Sequence, residues 1–166
     1  RERALRDGIE VKYSIPEVPA IANADANRLK QVFMNILDNA LKYSRSPSKI
    51  FVKAEFTKLD NQNFVKIAIA DQGCGISKED LPHVKEKFYK ANVSVRGSGI
   101  GLAVTNEIVN LHHGKLEIDS QEGKGTLVTI YLPVENSTTK NELNDMKQNE
   151  TVQDAEINEG VEINKN

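Results

Sequence analysis

MNILDNALKYS, residues 34–44, combines the apolar spacing of a helix with a row of polar side chains. Asn35 and Asn39 lie one turn apart, and Lys42 follows almost one turn later. At about 100° per residue, these three side chains fall on the side of a helix opposite its apolar face. A solvated face is the simplest explanation, but asparagine is a mediocre helix former. The meaning of the row therefore depends on the motifs that follow it.

The helix that carries this row is predicted to run from Asp25, a typical N-cap residue, to about Tyr43. Its core face consists of apolar residues at i, i+3 and i+4 spacing, namely Leu29, Val32, Phe33, Ile36, Leu37, Ala40 and Leu41. A second helix is predicted over residues 100–112, and a short third one from about Lys78. Strands are predicted at residues 11–15, 49–57, 64–71, 115–120 and 126–133. The pattern predicts a mixed α/β fold with about five strands and three helices packed on one face.

Composition places few limits on the function. The net charge of the 166 residues is −2, which does not favour a nucleic-acid partner or an acidic membrane surface. The single cysteine excludes an internal disulfide framework and fits a reducing compartment. No apolar run approaches the ~18 residues of a membrane span, and no signal peptide opens the chain.

The charge is unevenly distributed, which suggests three regions. Residues 134–166 carry eight acidic residues against three lysines, so this tail is −5 and the remainder is about +3. A mildly basic body suits a phosphate-rich ligand. The opening RERALRDG has no initiator methionine and reads as the end of an upstream helix or linker. We expect a linker at 1–10, one domain at 11–133 and a disordered tail at 134–166.

The first glycine motif, DQGCGI (71–76), follows an apolar strand. Asp71 is at the strand end, where its carboxylate can point inward. Gly73 and Gly75 permit positive φ and let a ligand approach the backbone closely. Taken alone, the motif is better explained by an ordinary glycine-rich turn after a strand.

The second glycine motif, RGSGIGLAV (96–104), leads directly into a predicted helix. Exposed amides and the dipole at a helix N-terminus can hold phosphate oxygens. The spacing is neither that of a Walker loop nor that of a dinucleotide fingerprint. The polar row offers matching chemistry. Asn39 has a hard oxygen suited to Mg²⁺, Lys42 is a point charge for phosphates, and Tyr43 can pack beside a flat base.

The order of the motifs is more specific than any one of them. NILDNALKY, DQGCGI, EKFYK, GSGIGLAV and GKGT follow one another at domain-scale spacing over about residues 11–133. In this the chain resembles the ATP-binding catalytic domain of sensor histidine kinases, a family that shares the Bergerat (GHKL) fold with gyrase, Hsp90 and MutL. The resemblance implies a two-layer α/β sandwich with a mixed, mostly antiparallel sheet. It also implies ATP and Mg²⁺ as cofactors.

The resemblance assigns roles to individual residues. Asn39 would be the Mg²⁺ ligand, and Asn35 and Lys42, the candidate catalytic residues, would lie near the phosphates. Asp71 would accept a hydrogen bond from the adenine amino group, where the carbonyl of guanine would be repelled. The other predicted ATP-binding residues are Tyr43, Gly73, Gly75, Ile76, Lys90, Arg96, Gly97, Ser98, Gly99, Ile100, Gly101, Leu102 and Thr126. Phe88 matches the family's F box.

By this resemblance the chain would transfer the γ-phosphoryl group of ATP to a histidine on a dimerisation domain absent from this sequence. A response regulator would be the downstream partner, with no nucleic-acid or membrane contact by this piece. A cytoplasmic location would follow. Many relatives are themselves anchored in the membrane, with this domain in the cytoplasm. The ATPases of the superfamily have a glutamate where this chain has Asn35, and an amide cannot be a general base. A stand-alone nucleotide-binding regulator and an anti-sigma serine kinase are the alternatives.

Overall fold

A computed structural model describes residues 8–91 and 98–135. The predicted phosphate contacts Arg96 and Gly97, most of the predicted linker (1–7) and most of the predicted tail (136–166) lie outside these residues. The strands are β1 (Ile9–Ser14), β2 (Ser48–Leu59), β3 (Gln62–Asp71), β4 (Lys115–Gln121) and β5 (Gly125–Pro133). The helices are α1 (Ala26–Tyr43) and α2 (Gly101–Leu111), with a 3-10 turn at Leu81–His83.

The five strands form one mixed sheet in the order β1-β2-β3-β5-β4, which confirms the predicted α/β architecture. β1 runs parallel to β2, and the other neighbours are antiparallel. The β2–β3 hairpin closes through Asp60 and Asn61, whose φ angles are 47° and 65°. Aspartate and asparagine tolerate this left-handed region, and the two-residue loop is shorter than the gap between the predicted strands 49–57 and 64–71. β3 and β5 pair so that Asp71 lies opposite Thr126.

Both helices cover one face of the sheet. α1 contributes Val32, Ile36 and Ala40 to a single buried cluster, and α2 contributes Ile108 and Val109. The sheet contributes alternating residues of its strands to the same cluster, including Ile50, Val65, Ile69, Leu116, Val128, Ile130 and Leu132. This alternation is the period-2 pattern of a strand with one buried face. The apolar face predicted for α1 is therefore its buried face.

The prediction of three helices is wrong, because the described residues contain two α-helices. The segment from Lys78 forms only the turn Leu81–His83. The Asp80 N–H donates to Ser77 Oγ (3.1 Å), and that hydroxyl donates to Asp80 Oδ2 (2.8 Å). Such local side-chain bonds compete with the helical ladder, and Pro82 lacks an N–H to continue it.

A hydrogen-bonded contact connects the C-terminal end of α2 to the N-terminal end of α1. Asp25 caps α1 as predicted, accepting hydrogen bonds from the N–H groups of Asn27 (2.9 Å) and Arg28 (3.0 Å). At the same end, His112 Nε2 accepts from the Asp25 N–H (3.0 Å), while its Nδ1 bonds to the Ile108 carbonyl (2.8 Å). His112 thus connects the end of α2 to the start of α1. None of the described helices has the length and apolar character to cross a membrane.

Candidate functional site

A cavity of about 300 Å³ opens between α1, the turn after β3, the start of α2 and the facing strand β5. It brings together most of the residues predicted from the motifs. They are Asn35, Asn39, Lys42, Tyr43, Asp71, Gly75, Ile76, Lys90, Ser98, Gly99, Gly101, Leu102 and Thr126. Residues from five separated stretches of the chain therefore share one pocket of the size that small ligands use.

Two predicted residues are near the cavity without lining it. Gly73 donates its N–H to Asp71 Oδ1 (2.8 Å) and so helps to fix the position of the aspartate side chain. Ile100 is the N-cap residue of α2 and, within the part of the chain that the structure describes, makes no side-chain cap bond. The first amides of α2 are therefore not capped by the residue that precedes them, which leaves them suited to an anion.

Asp71 is the buried acid of the cavity, with 7% of its surface exposed. Its Oδ1 atom accepts from the N–H groups of Gly73 (2.8 Å) and Thr126 (3.2 Å). Burial raises the pKa of Asp71 to about 6, although both backbone hydrogen bonds oppose that rise. At neutral pH the site therefore holds a desolvated carboxylate, which accepts hydrogen bonds from N–H groups and repels carbonyl oxygens.

Some glycines around the cavity are required by the fold. Gly75 has φ +66°, and a Cβ there would lie 1.9 Å from the Gln121 carbonyl oxygen. Gly99 has φ +71°, and its Cβ would lie 2.7 Å from the Tyr89 carbonyl oxygen. Gly99 also accepts a hydrogen bond from the Phe88 N–H (3.0 Å), which joins the two ends of segment 89–98. These glycines would be needed whether or not a ligand bound here.

Gly101 is different, because the fold gives no steric reason for a glycine there. The nearest atoms to an added Cβ would be Asn35 Cγ at 3.9 Å and Cβ at 4.0 Å, which are ordinary contacts. Gly101 begins α2 and lines the cavity. A glycine that packing does not require, at a helix N-terminus whose first amides have no side-chain cap, suits the close approach of a phosphate group.

The polar row of α1 faces the cavity and α2. Asn35 Nδ2 donates to the Gly101 carbonyl (3.2 Å) and to the hydroxyl of fully buried Thr105 (3.4 Å). Asn35 therefore connects α1 to the first turns of α2. Lys42 Nζ lies 4.9 Å from the centre of the Tyr43 ring. The two side chains predicted to bind phosphate and base are thus in contact with each other.

Several lining residues were not predicted as site residues. They are Asp38, Ala40, Ile69, Cys74, Val84, Tyr89, Ala91 and Val128. The period of two along a strand could have indicated Ile69 and Val128, which lie two residues from Asp71 and Thr126. Asp38 does not belong to the row of Asn35, Asn39 and Lys42, yet it lines the same cavity. The cavity wraps around more of α1 than one row of side chains.

Comparisons with known proteins agree with this geometry. An α/β sandwich with a glycine-bordered cavity at a helix N-terminus is compatible with a nucleotide-binding domain. The family model described as histidine kinase-, DNA gyrase B-, and HSP90-like ATPase matches residues 24–136. The chain belongs to this family and carries its ATP-binding domain.

Curated relatives include proteins named as kinases. The chain is 39% identical over 120 residues to sporulation kinase E of Bacillus subtilis, covering 72% of this chain and 15% of that protein. It is 33% identical over 136 residues to the sensor histidine kinase WalK of the same organism, covering 80% and 22%. It is also 35% identical over 144 residues to the non-motile and phage-resistance protein of Caulobacter vibrioides, covering 84% and 17%. The chain thus spans less than a quarter of each of these proteins.

Solved structures show the same fold. The mycobacterial sensor histidine kinase MprB matches with a TM-score of 0.67 and 31% identity, over 80% of this chain and 87% of that one. The full-length structure of ShkA in complex with AMPPNP matches with a TM-score of 0.70 and 23% identity, over 83% of this chain and 28% of that one. At that identity the second match bears on the fold alone.

Proposed function

We propose that this chain binds Mg·ATP in the cavity and transfers the γ-phosphoryl group to a histidine on a dimerisation domain of the same protein. A response regulator would then receive the phosphoryl group, in the cytoplasm and without nucleic-acid or membrane contact by this chain. The observation that carries the proposal is the convergence of Asn39, Asp71 and Gly101 on one cavity. The kinase names of several relatives support phosphoryl transfer over a purely regulatory role.

The base would bind at the Asp71 end of the cavity. The ionised carboxylate accepts a hydrogen bond from an exocyclic amino group, as adenine provides, and repels the carbonyl that guanine presents. Ile69, Ile76 and Val128 supply apolar wall beside it. Tyr43 lines the same cavity and offers a flat ring for packing.

The phosphates would lie at the start of α2, where the space in front of Gly101 lets them approach the backbone. Lys42 and Lys90 line the cavity and supply positive charge. The described residues contain no cluster of three or more His, Cys, Asp or Glu side chains able to hold a metal. The amide oxygen of Asn39 fits Mg²⁺, which takes one or two protein oxygens and completes its shell with phosphates and water. When bound, Mg²⁺ would neutralise phosphate charge.

Calorimetric titration with ATP, with and without Mg²⁺, tests this arrangement. We expect Asn39→Ala to weaken binding about tenfold or more in Mg²⁺, because an amide ligand is lost, and to change binding little in EDTA. Asn110→Ala, an exposed asparagine on α2, is the matched control and should bind normally in both conditions. A wild-type chain that fails to bind ATP would refute the proposal. An equal loss in EDTA would refute the metal role of Asn39.

Alkylation of Cys74 reports on the same cavity without any substitution. Cys74 is the single cysteine of the chain and lines the cavity, so a bound nucleotide should cover it. At an ATP concentration of about ten times its Kd, we expect maleimide labelling to slow about tenfold, because only the unoccupied fraction reacts. Mass spectrometry over time measures the rate. GTP at the same concentration is the control and should protect little, and equal protection by both nucleotides would contradict the assignment of the base site.

A further inference from the structure

Ser120, on β4, forms three hydrogen bonds just behind the base end of the cavity. Its Oγ atom accepts from the Ile76 N–H (2.9 Å) and donates to the Gly125 carbonyl (2.8 Å). The third bond joins it to Thr126 Oγ1 at 2.9 Å. Thr126 and Ile76 line the cavity, so Ser120 contacts two residues of the proposed site from outside it.

The directions of these bonds follow from counting hydrogens. A carbonyl oxygen can only accept, so the single hydroxyl hydrogen of Ser120 is committed to Gly125. The bond between the two hydroxyls must then be donated by Thr126. Ser120 accepts from Thr126 and from the Ile76 N–H, which uses both of its lone pairs. The hydroxyl hydrogen of Thr126 therefore points at Ser120, and only acceptor lone pairs of Thr126 are available to the cavity.

This orientation matters because Asp71 on β3 lies directly opposite Thr126 on β5. Asp71 and Thr126 are register partners, and the Thr126 N–H donates to Asp71 Oδ1 (3.2 Å). An ionised carboxylate is also an acceptor only. The base end of the cavity thus presents two neighbouring acceptors. A ligand edge bearing N–H groups satisfies them, whereas a carbonyl would meet lone pairs on both sides.

We propose that Ser120 is a positioning residue that sets base specificity: by holding the hydroxyl hydrogen of Thr126 away from the cavity, it prevents Thr126 from donating to a 6-oxo purine. The proposal rests on the nucleotide site proposed above. With Ser120 in place, both Asp71 and Thr126 reject the carbonyl. Without it, the Thr126 hydroxyl can rotate and donate to that carbonyl, and part of the discrimination disappears.

The test compares ATP with inosine triphosphate, which carries a carbonyl where adenine carries its amino group. Calorimetry on the 166-residue chain gives the ratio of the two Kd values, inosine triphosphate over ATP. In Ser120→Ala we expect this ratio to fall about three- to tenfold, the worth of one hydrogen bond gained by the oxo nucleotide. Ser120→Thr keeps the hydroxyl and should restore the wild-type ratio.

The ratio separates this role from a structural one. Ser120→Ala also leaves the Ile76 N–H and the Gly125 carbonyl without this partner, which can weaken the binding of both nucleotides equally. An unchanged ratio in folded Ser120→Ala would overturn the proposal. If circular dichroism shows that Ser120→Ala is unfolded, the ratio is measured in Ser120→Cys instead. A thiol fills the space of the hydroxyl but donates and accepts hydrogen bonds only weakly. The ratio of Ser120→Cys should fall in the same direction, and an unchanged ratio would overturn the proposal. Failure of the wild-type chain to bind ATP would instead refute the proposed function.

Discussion

Asp71→Asn is expected to make the protein more stable at neutral pH while removing most of its affinity for ATP. Burial raises the pKa of Asp71 from 3.8 to about 6, so the ionised carboxylate disfavours the folded state at pH 7.5. One pKa unit corresponds to about 1.4 kcal/mol, so removing the charge should add about 1–3 kcal/mol to the free energy of unfolding. The amide oxygen of the new side chain can still accept from Gly73 and Thr126.

The pH dependence of this gain identifies its cause. Because the folded-state pKa is raised, the cost of ionising Asp71 is absent below about pH 4 and complete above about pH 7. In urea unfolding, the variant should therefore have a larger free energy of unfolding than the wild type at pH 7.5. At pH 4 the two free energies should be the same. An advantage that persists unchanged at pH 4 would contradict the assignment of the gain to the buried charge.

The loss of binding has a separate cause. With its oxygen held by the two backbone N–H groups, the new amide would place its nitrogen where the second carboxylate oxygen is and present a donor to the adenine amino group. Losing a charge-assisted hydrogen bond of about 1.5–3 kcal/mol should weaken ATP binding by about ten- to a hundredfold. Calorimetry measures it, and Asp119→Asn, at an exposed acid on β4, is the control. Unchanged ATP affinity would remove Asp71 from the base site.

Gly101→Ala is the second substitution expected to separate stability from binding. Alanine is the better helix former, and its Cβ would meet only ordinary contacts with Asn35, so we expect stability to be kept or to rise by up to about 1 kcal/mol. The same methyl group would occupy the space at the start of α2 where a phosphate would approach. ATP affinity should therefore fall about tenfold or more, by steric exclusion.

Gly73→Ala is the matched control for this prediction. A Cβ at Gly73 would lie 2.8 Å from both Asp71 Oδ1 and the Tyr43 carbonyl oxygen, so something must move. We expect that variant to lose about 1–3 kcal/mol of stability together with its binding. Thermal unfolding and calorimetry on both variants distinguish the two glycines. Normal ATP binding by folded Gly101→Ala would show that the space at Gly101 is not used.

The parts of the fold that could be predicted from sequence are those with strong local signals. α1 has an apolar periodicity and the N-cap Asp25, and both its ends agree with the prediction. The segment after Lys78 has no comparable periodicity, and the local bonds of Ser77 and Asp80 replace a helical ladder there. β1 begins at Ile9, two residues earlier than predicted, because its parallel pairing with β2 starts at Ile9 and Ser48. Pairing with a distant strand leaves no trace in a short local window.

The site shows the same division. The order of the motifs was enough to indicate the family, and the cavity gathers most of the residues that the motifs named. Sequence patterns could not show that Gly101 has room for a side chain whereas Gly75 has none, because this depends on Asn35 and Gln121. The bonds of Ser120 were equally invisible, since one of them reaches a residue 44 positions away along the chain. Distances across the fold, rather than residue types, distinguish these positions.

The hydrogen bond from the Phe88 N–H to the Gly99 carbonyl (3.0 Å) has a consequence for how this domain can vary. This bond holds the residues on either side of segment 89–98 together. The position at which α2 starts therefore does not depend on how many residues lie between them. An insertion or deletion in that stretch would therefore leave Gly101 and Leu102, the cavity-lining residues at the start of α2, in place.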